Sequence, residues 1–385
     1  MHVKLSQYRD VIAALQDPTL RQGLYDDGQV IMDSVLLTLH GDAHRIRRRL
    51  EQKLFTRPNI RFYETQVIPT LLKQYIDPFM TEGGGDILPL TLKTSMGLTA
   101  LIAGLDVPPG DDQAILRLLD LVKTFSEGAT LVHSTRPKEE VEGEVLAALA
   151  NLEEEFLIPS IQRRQALLSE IRSGQGDEAA LPKDVLITLM KAGAQHPLER
   201  DVLRREIAFY LQAGAHSTAN STAHALWDIL RWQDRPHHPD RLEDPIFLQR
   251  CVHESMRLHP ASPVAIRRSK TTTFELDLKA ANQDPTIFGE DASVFNPERS
   301  LPSGIPPYGL TFGAGVHSCL GKELDGGQVP QGPAAKHHIM GFVALILQRL
   351  IAGGAMMDPE RPPVQDQQTS RANWAHFYLK FCKNA

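Results

Sequence analysis

Apolar residues recur every three or four positions along most of the first two thirds of the chain, the period of helices that bury one face. Residues 43–55 (AHRIRRRLEQKLF) read as a basic amphipathic helix, and 59–78, 90–104 and 111–126 continue the pattern. Residues 138–172 predict a long charged helix that Pro159 is placed to kink, because proline lacks an N–H and clashes with the preceding turn. A short helix is expected over 184–192, after Leu181-Pro182. The longest uninterrupted periodic segment runs over 199–232, and a further helix over 244–258 is ended by Pro260. The texture then changes. Residues 264–276 (VAIRRSKTTTFEL) are β-branched and suit short paired strands. Residues 280–318 are rich in Pro, Gly and Asn and read as ordered loop. One more helix is expected over 334–351 and a weak strand pair over 372–383.

Composition narrows the class. The chain has 385 residues, 42% hydrophobic and 23% charged, enough apolar content for a well-buried core. No repeat or linker divides it, so a single mainly α domain over 1–385 with a small β region is expected. A net charge of −6 gives no basic footprint for nucleic acid. Three cysteines do not make a disulfide framework, and a reducing compartment fits. MHVKLSQYRD contains no apolar core of a signal peptide, and Ile339 to Leu347 is too short to span a bilayer, so a cytoplasmic location with no transmembrane segment is expected.

About 40 residues of loop is unusual in a compact domain, and such loops are usually functional or disordered. This one carries Phe312-Gly313-Ala314-Gly315-Val316-His317-Ser318-Cys319-Leu320-Gly321. Gly313, Gly315 and Gly321 permit tight turns and close approach to a flat ligand. Backbone N–H groups in such a loop can stabilise a thiolate at Cys319, and a thiolate is a soft ligand for iron. A dinucleotide fingerprint fails here, since Ser318 stands where its third glycine belongs and no strand leads into it. A buried, inert cysteine is the other reading of the loop.

Phe312-x-x-Gly315-x-His317-x-Cys319-x-Gly321 resembles the haem-binding signature of the cytochrome P450 family, and three further matches follow the family's order. The first is Glu254-x-x-Arg257, on one helix face. The resemblance makes it a structural charge network joined by Arg299 of Asn296-Pro297-Glu298-Arg299. The second is Ala213-Gly214-Ala215-His216-Ser217-Thr218. By resemblance it lies over the distal face of haem b, Gly214 making room for oxygen and His216 and Ser217 supporting protonation. A small-residue helix-packing patch is the alternative. The third is His44-x-x-x-Arg48, which by resemblance binds a haem propionate, as do Arg267 and His317. Most of the basic run Arg45 to Arg49 is expected to be a solvated face. Ala281-Asn282-Gln283-Asp284-Pro285 also looks like the family's connecting segment.

Three departures from the family stand out. His216-Ser217 replaces an acid–threonine pair. The stretch from Arg267 to Asn282 is about a dozen residues short, which implies a lost β-hairpin and a reduced sheet. Leu324 to Pro333 (LDGGQVPQGP) intervenes between Cys319 and the helix expected from Ala335-Lys336-His337, and should disrupt that helix's start on the face where an electron donor docks. Smaller candidates are His237-His238 and His337-His338, read as exposed turn and helix packing before metal ligands. Cys251 is expected in the core and Cys382 inert. Asn220-Ser221-Thr222 is a sequon by pattern only.

The resemblance implies a haem-thiolate monooxygenase with Cys319 as the axial ligand. It implies a small or medium apolar substrate lined by residues from about 25–40, 120–135, 205–217 and 262–266. Electrons would come from a separate ferredoxin and ferredoxin reductase. A peroxide-using or coupling haem-thiolate enzyme and a non-catalytic haem or ligand-binding protein are the rivals.

Overall fold

The structure is a computed structural model that describes residues 1–108, 110–131, 134–193, 195–232, 239–329, 338–367 and 371–381. It divides into two compact units, one formed by Met1–Gly23, Ile60–Thr94 and His216–Ala385, the other by Leu24–Asn59 and Ser95–Ala215.

The second unit is helical throughout its described elements. Its helices include Gly41–Glu51, Asp112–Ala129, Lys138–Leu152, Ile158–Arg172 and Val185–Ala192. Asp111 and Asp184 cap two of them, accepting from the N–H groups of Ala114 and Ile187. Gly128 packs directly against Val145, so the helices Asp112–Ala129 and Lys138–Leu152 approach closely, burying Leu118, Val122, Phe125 and Leu149. Around Pro159, where a kink is expected, the helical run is split into Lys138–Leu152 and Ile158–Arg172. A π turn at Glu153–Leu157 widens the helix just before the proline and accommodates the missing hydrogen bond.

The first unit carries every described strand. The main sheet orders His2–Leu5, Thr273–Asp277, Val264–Arg268 and Arg21–Gln22, its first pair parallel and the others antiparallel. The hairpin expected over 264–276 is present. Thr273–Asp277 then runs straight into a short helix, Leu278–Ala281, capped by Asp277, with no second hairpin between. The core beneath this sheet packs Tyr8, Val11 and Leu15 of the helix Tyr8–Gln16 against Leu276, Phe288 and Leu310.

Two expectations are corrected. The last helix is Phe342–Ala352, and residues 338–341 are not helical; 334–337 lie outside the described residues. Gly341, at φ +86°, is the cap that ends the preceding backbone turn. The strands Trp374–His376 and Tyr378–Phe381 exist but do not pair with each other. The first joins Val364–Gln365, and the second lies between Gly84–Asp86 and Ala355–Met357. The long helix Arg200–Arg231 and the helix Pro245–Leu258 fall within one residue of their predicted spans.

Candidate functional site

In the first unit, the loop ahead of Cys319 is fixed by its own backbone. Gly315–His317 forms a 3-10 turn, and the N–H of Cys319 donates to the carbonyl of Phe312 at 2.8 Å. Cys319 is exposed and in no disulfide. Gly315 has φ +69°, and a Cβ there would lie 2.6 Å from the carbonyl oxygen of Leu15. Both facts require glycine. The helix Tyr8–Gln16 therefore abuts the cysteine loop, a support the sequence reading did not anticipate.

The helix Pro245–Leu258 braces the loop from another side. Arg257 donates from Nε and Nη2 to Glu254 at 2.8 and 2.7 Å, a bidentate pair with the Arg257 side chain fully buried. Arg299 Nε joins at Glu254 Oε1, 3.1 Å, with 5% of its side chain exposed. The remaining guanidinium N–H groups reach the carbonyls of Asn282 and Ala292 for Arg257 and those of Phe288, Asp291 and Val294 for Arg299, which also donates from Nη1 to the Asp291 carboxylate at 2.5 Å. Asn282 carries the brace onward. Its Nδ2 donates to the Arg257 carbonyl and its Oδ1 accepts from the Leu310 N–H, while Thr311 donates to the Met256 carbonyl. The next residue is Phe312. Thus the structure brings Glu254, Arg257 and Arg299 together and links them, two residues at a time, to the loop that holds Cys319.

The same helix sutures the chain after Cys319. A one-turn helix, Lys322–Asp325, ends at Gly326-Gly327. The chain returns at Ile339–Gly341, where Gln328 N–H donates to the Ile339 carbonyl at 2.9 Å. Gln249 Nε2 donates to the carbonyls of Ile339 and Met340 at 2.9 and 2.8 Å, and its Oε1 meets His338 Nε2 at 2.7 Å. His253 Nε2 meets the Gly326 carbonyl at 2.7 Å. Glu64 accepts the Gly341 N–H at 2.8 Å. The extra segment leaves and re-enters at one point, with its ends held together. Gln249 and His253 were missed, although two polar residues four apart on a helix otherwise rich in buried positions are a signal for such a role.

The distal motif follows the middle of the long helix. A Cβ on Gly214 would lie 2.5 Å from Thr99 Oγ1, so close packing on a neighbouring helix alone demands glycine there. Two residues on, His216 lines a cleft of about 430 Å³ in the first unit with Asp86, Asn220, Asp366, Trp374 and His376. Burial, and then the positive charge of Arg371, hold its pKa below the usual value; its Nε2 is buried with no hydrogen-bond partner. Asn220 donates to the His216 carbonyl at 3.0 Å and Thr222 to that of Thr218 at 2.8 Å, bonds that loosen a helix locally. Thr218 donates to Asp325 at 2.8 Å and so ties this helix to the turn after Cys319. Burial raises the Asp325 carboxyl to about 6 against the lowering by that hydroxyl.

In the helical unit, His44 is buried, and desolvation together with the Arg48 charge lowers its pKa to about 4. Arg48 is half-buried, while Arg45 and Arg49 are exposed. Arg47 corrects the expectation of a mostly solvated run. It is 8% exposed and donates to Glu206 at 2.7 Å. Arg267 belongs to the first unit, where it is buried on its strand and bonds Gln22. In the first unit a soft sulfur on an exposed, braced loop suits the iron of a haem, and each unit separately offers guanidinium or imidazole groups that suit carboxylates.

The sequence profile described as Cytochrome P450 matches residues 229–349, the stretch that holds the brace and Cys319. Among curated proteins, cytochrome P450 750A1 of Pinus taeda is 26% identical over 204 residues, 40% of this chain and 38% of its own length. Pisatin demethylase of Fusarium vanettenii is 28% identical over 186 residues, 39% of this chain and 36% of its own. The matched stretch thus spans a little over a third of these relatives. The structure of P450BioI in complex with an acyl carrier protein superposes with TM-score 0.75 at 18% identity, covering 98% of this chain and 92% of that one. That of Mycobacterium smegmatis CYP164A2 gives 0.70 at 19%, covering 98% and 90%. The chain carries the cytochrome P450 profile match in its later part. It has the cytochrome P450 fold over nearly its whole length.

The family whose profile matches over 229–349 is one whose cofactor is haem. No described helix is long and apolar enough to cross a membrane. Of the smaller candidates, His237-His238, His337 and Cys382 lie outside the described residues. His338 serves the Gln249 suture, and burial raises the Cys251 thiol well above its usual pKa. Among the described residues no three His, Cys, Asp or Glu side chains converge as a metal site.

Proposed function

We propose that this protein is a haem-thiolate monooxygenase of the cytochrome P450 kind in which residues 1–385 act as one domain. It inserts one oxygen atom from O2 into a small or medium apolar molecule, with electrons from a ferredoxin and its reductase. The observation that carries the reading is Cys319, presented exposed on a loop braced by Glu254, Arg257 and Arg299 through Asn282 and Thr311.

Haem b, when bound, supplies the oxygen and one-electron chemistry that no side chain provides. Cys319 would hold its iron. Phe312 and Gly321 flank that ligand, and His44, Arg48, Arg267 and His317 would take its carboxylates. The side chains do the rest. His216 has a lowered pKa and is neutral near pH 7, so its imidazole can accept a proton on one nitrogen and give it up from the other. Its cleft, lined also by the Asp86–His376 pair, gives that imidazole polar neighbours. Ser217 contributes a hydroxyl one residue along, and Gly214 lets the helix pack closely at Thr99. Apolar residues from 25–40, 120–135, 205–217 and 262–266 would line the substrate.

The reduced protein under carbon monoxide tests this. A strongly red-shifted Soret band is expected, lost in Cys319→Ala. An unshifted band in the wild type, or an unchanged band in the variant, overturns the assignment. Peroxide-supported turnover far above ferredoxin-supported turnover would select a peroxide-using enzyme instead.

A further inference from the structure

The helical unit gathers two buried carboxylates around one buried guanidinium. Glu51, on the helix Gly41–Glu51, and Glu206, on the long helix, are both 0% exposed. Arg47 Nη1 donates to Glu206 Oε2 at 2.7 Å, while its Nε stands 3.8 Å from Glu51 Oε1. Glu206 also accepts the Leu36 N–H, at 3.0 and 3.2 Å to its two oxygens. Glu51 Oε2 accepts from the Tyr210 hydroxyl at 2.6 Å, and its Oε1 is buried with no hydrogen-bond partner.

Glu206 is well served and Glu51 is not. Two ionised carboxylates sharing one cation away from water is an unfavourable state, and holding a proton removes it. Burial first, and then the Glu206 charge, raises Glu51 well above the ordinary carboxylate range. Burial lifts Glu206 to about 7. Arg47 and Arg48 act in the opposite direction on Glu51. The groups facing Glu51 are thus Arg47 and Arg48 from its own helix, and Glu206 and Tyr210 from the long helix. Arg48 is three residues from Glu51 and sits among the groups read above as carboxylate donors. A carboxylate arriving at Arg48 offsets the positive charge that helps Glu51 ionise.

We propose that Glu51 and Glu206 share one titratable proton, and that docking of a haem carboxylate at His44 and Arg48 is coupled to uptake of that proton. The coupling rests on the haem reading given above. Glu51 is a positioning residue in this scheme: it touches Tyr210 and the arginines, not the cofactor.

Calorimetric titration of haem into the full apo-chain, repeated in buffers of different ionisation heat, counts the protons taken up. About half a proton per haem is expected near pH 7 in the wild type, falling close to zero in Glu51→Gln, which keeps an acceptor oxygen for Tyr210. Equal uptake in the two proteins, or none in the wild type from about pH 6 to 9, overturns the coupling. The carbon monoxide spectrum of the same samples separates the two readings. Normal thiolate haem with no proton uptake sinks only this inference, whereas haem without the thiolate band sinks the monooxygenase reading. The shared proton is also read in the wild-type apo-chain alone, as a protonated-carboxyl infrared band at pH 7 that is absent from Glu51→Gln. A missing band, or one that survives the substitution, overturns it whatever haem does.

Discussion

Two charge clusters, one in each unit, reach neutrality in different ways. Around Glu254, two guanidinium groups meet two carboxylates, Glu254 itself and Asp291 at Arg299. Around Arg47, two carboxylates share one guanidinium. The first cluster is balanced in charge, and backbone carbonyls take its remaining N–H groups, since Arg257 and Arg299 together reach those of five residues. The surplus in the second is negative. Among the described residues the backbone N–H that reaches this cluster, that of Leu36, serves Glu206, and a proton on Glu51 neutralises the rest. Carbonyls are fixed, and a proton comes and goes with pH. The first cluster is therefore built to hold a loop in one place, the second to respond to what binds beside it.

The largest expected effect breaks the first cluster. Glu254→Ala strands the fully buried guanidinium of Arg257 and leaves Arg299 with Asp291 alone, a loss of about 3–5 kcal/mol. Denaturant unfolding should show it, along with a weakened Cys319 loop. Glu51→Gln removes a carboxyl that is neutral while the shared proton is held, so its cost at about pH 6 should stay below about 1 kcal/mol. Similar costs for the two would erase the distinction.

The next effect is pH-dependent. A carboxyl whose folded pKa is raised holds its proton more tightly when folded. Its contribution is complete below the unfolded value of 4.5 and is lost as pH rises through the folded value, about 7 for Glu206. That window corresponds to roughly 3 kcal/mol of stability for a fully buried group. Buried neutral histidines such as His44 and His253, each lowered to about 4, act in the other direction as pH falls below about 6.5. The informative quantity is therefore the difference between the wild type and Glu51→Gln. The wild type should lose ground to the variant between pH 5 and 8, and a constant difference would count against the shared proton.

A third effect concerns the sutured segment. Gln249→Ala removes the amide that ties both ends, at about 2 kcal/mol. Hydrogen exchange should then accelerate at Gly326–Gln328 and Ile339–Gly341, with the Glu254 brace unaffected. Protection unchanged at both ends would mean that His253 and Glu64 hold them unaided.

Much of this architecture was legible because it is periodic. The long helix and the helix Pro245–Leu258 announce themselves by buried spacing, and Pro159 by its chemistry. The Cys319 loop and its Glu254–Arg257–Arg299 brace could be read because fixed residue types recur at short intervals. What escaped is what depends on distant partners. Glu51 and Glu206 are 155 positions apart in sequence, and nothing in either neighbourhood says that they meet. Arg47 looked like one more solvated residue of a basic run until Glu206 was opposite it. The suture was invisible for the same reason, and so the final helix was started too early: apolar pattern continues through Ile339, but Gly341 turns the backbone. The strands near the C-terminus were found as strands and given the wrong partners, because alternation fixes a face and not a neighbour.

The smallest effect is the sharpest discriminator. Tyr210→Phe removes only the hydroxyl that Glu51 accepts. A hydrogen bond to a neutral carboxylic acid contributes about 0.5–1.5 kcal/mol, and one to a carboxylate about 1.5–3 kcal/mol. If Glu51 holds the proton at pH 6, the substitution should cost near 1 kcal/mol there and about 2 kcal/mol near pH 9, where the proton has left. The cost of losing one hydroxyl thus reports the charge of its acceptor, which no change at the acceptor itself can do without altering it. A cost that stays near 2 kcal/mol at both values would mean that Glu51 is ionised throughout and that Arg47 and Arg48 together suffice for both carboxylates. The second cluster would then be as fixed as the first.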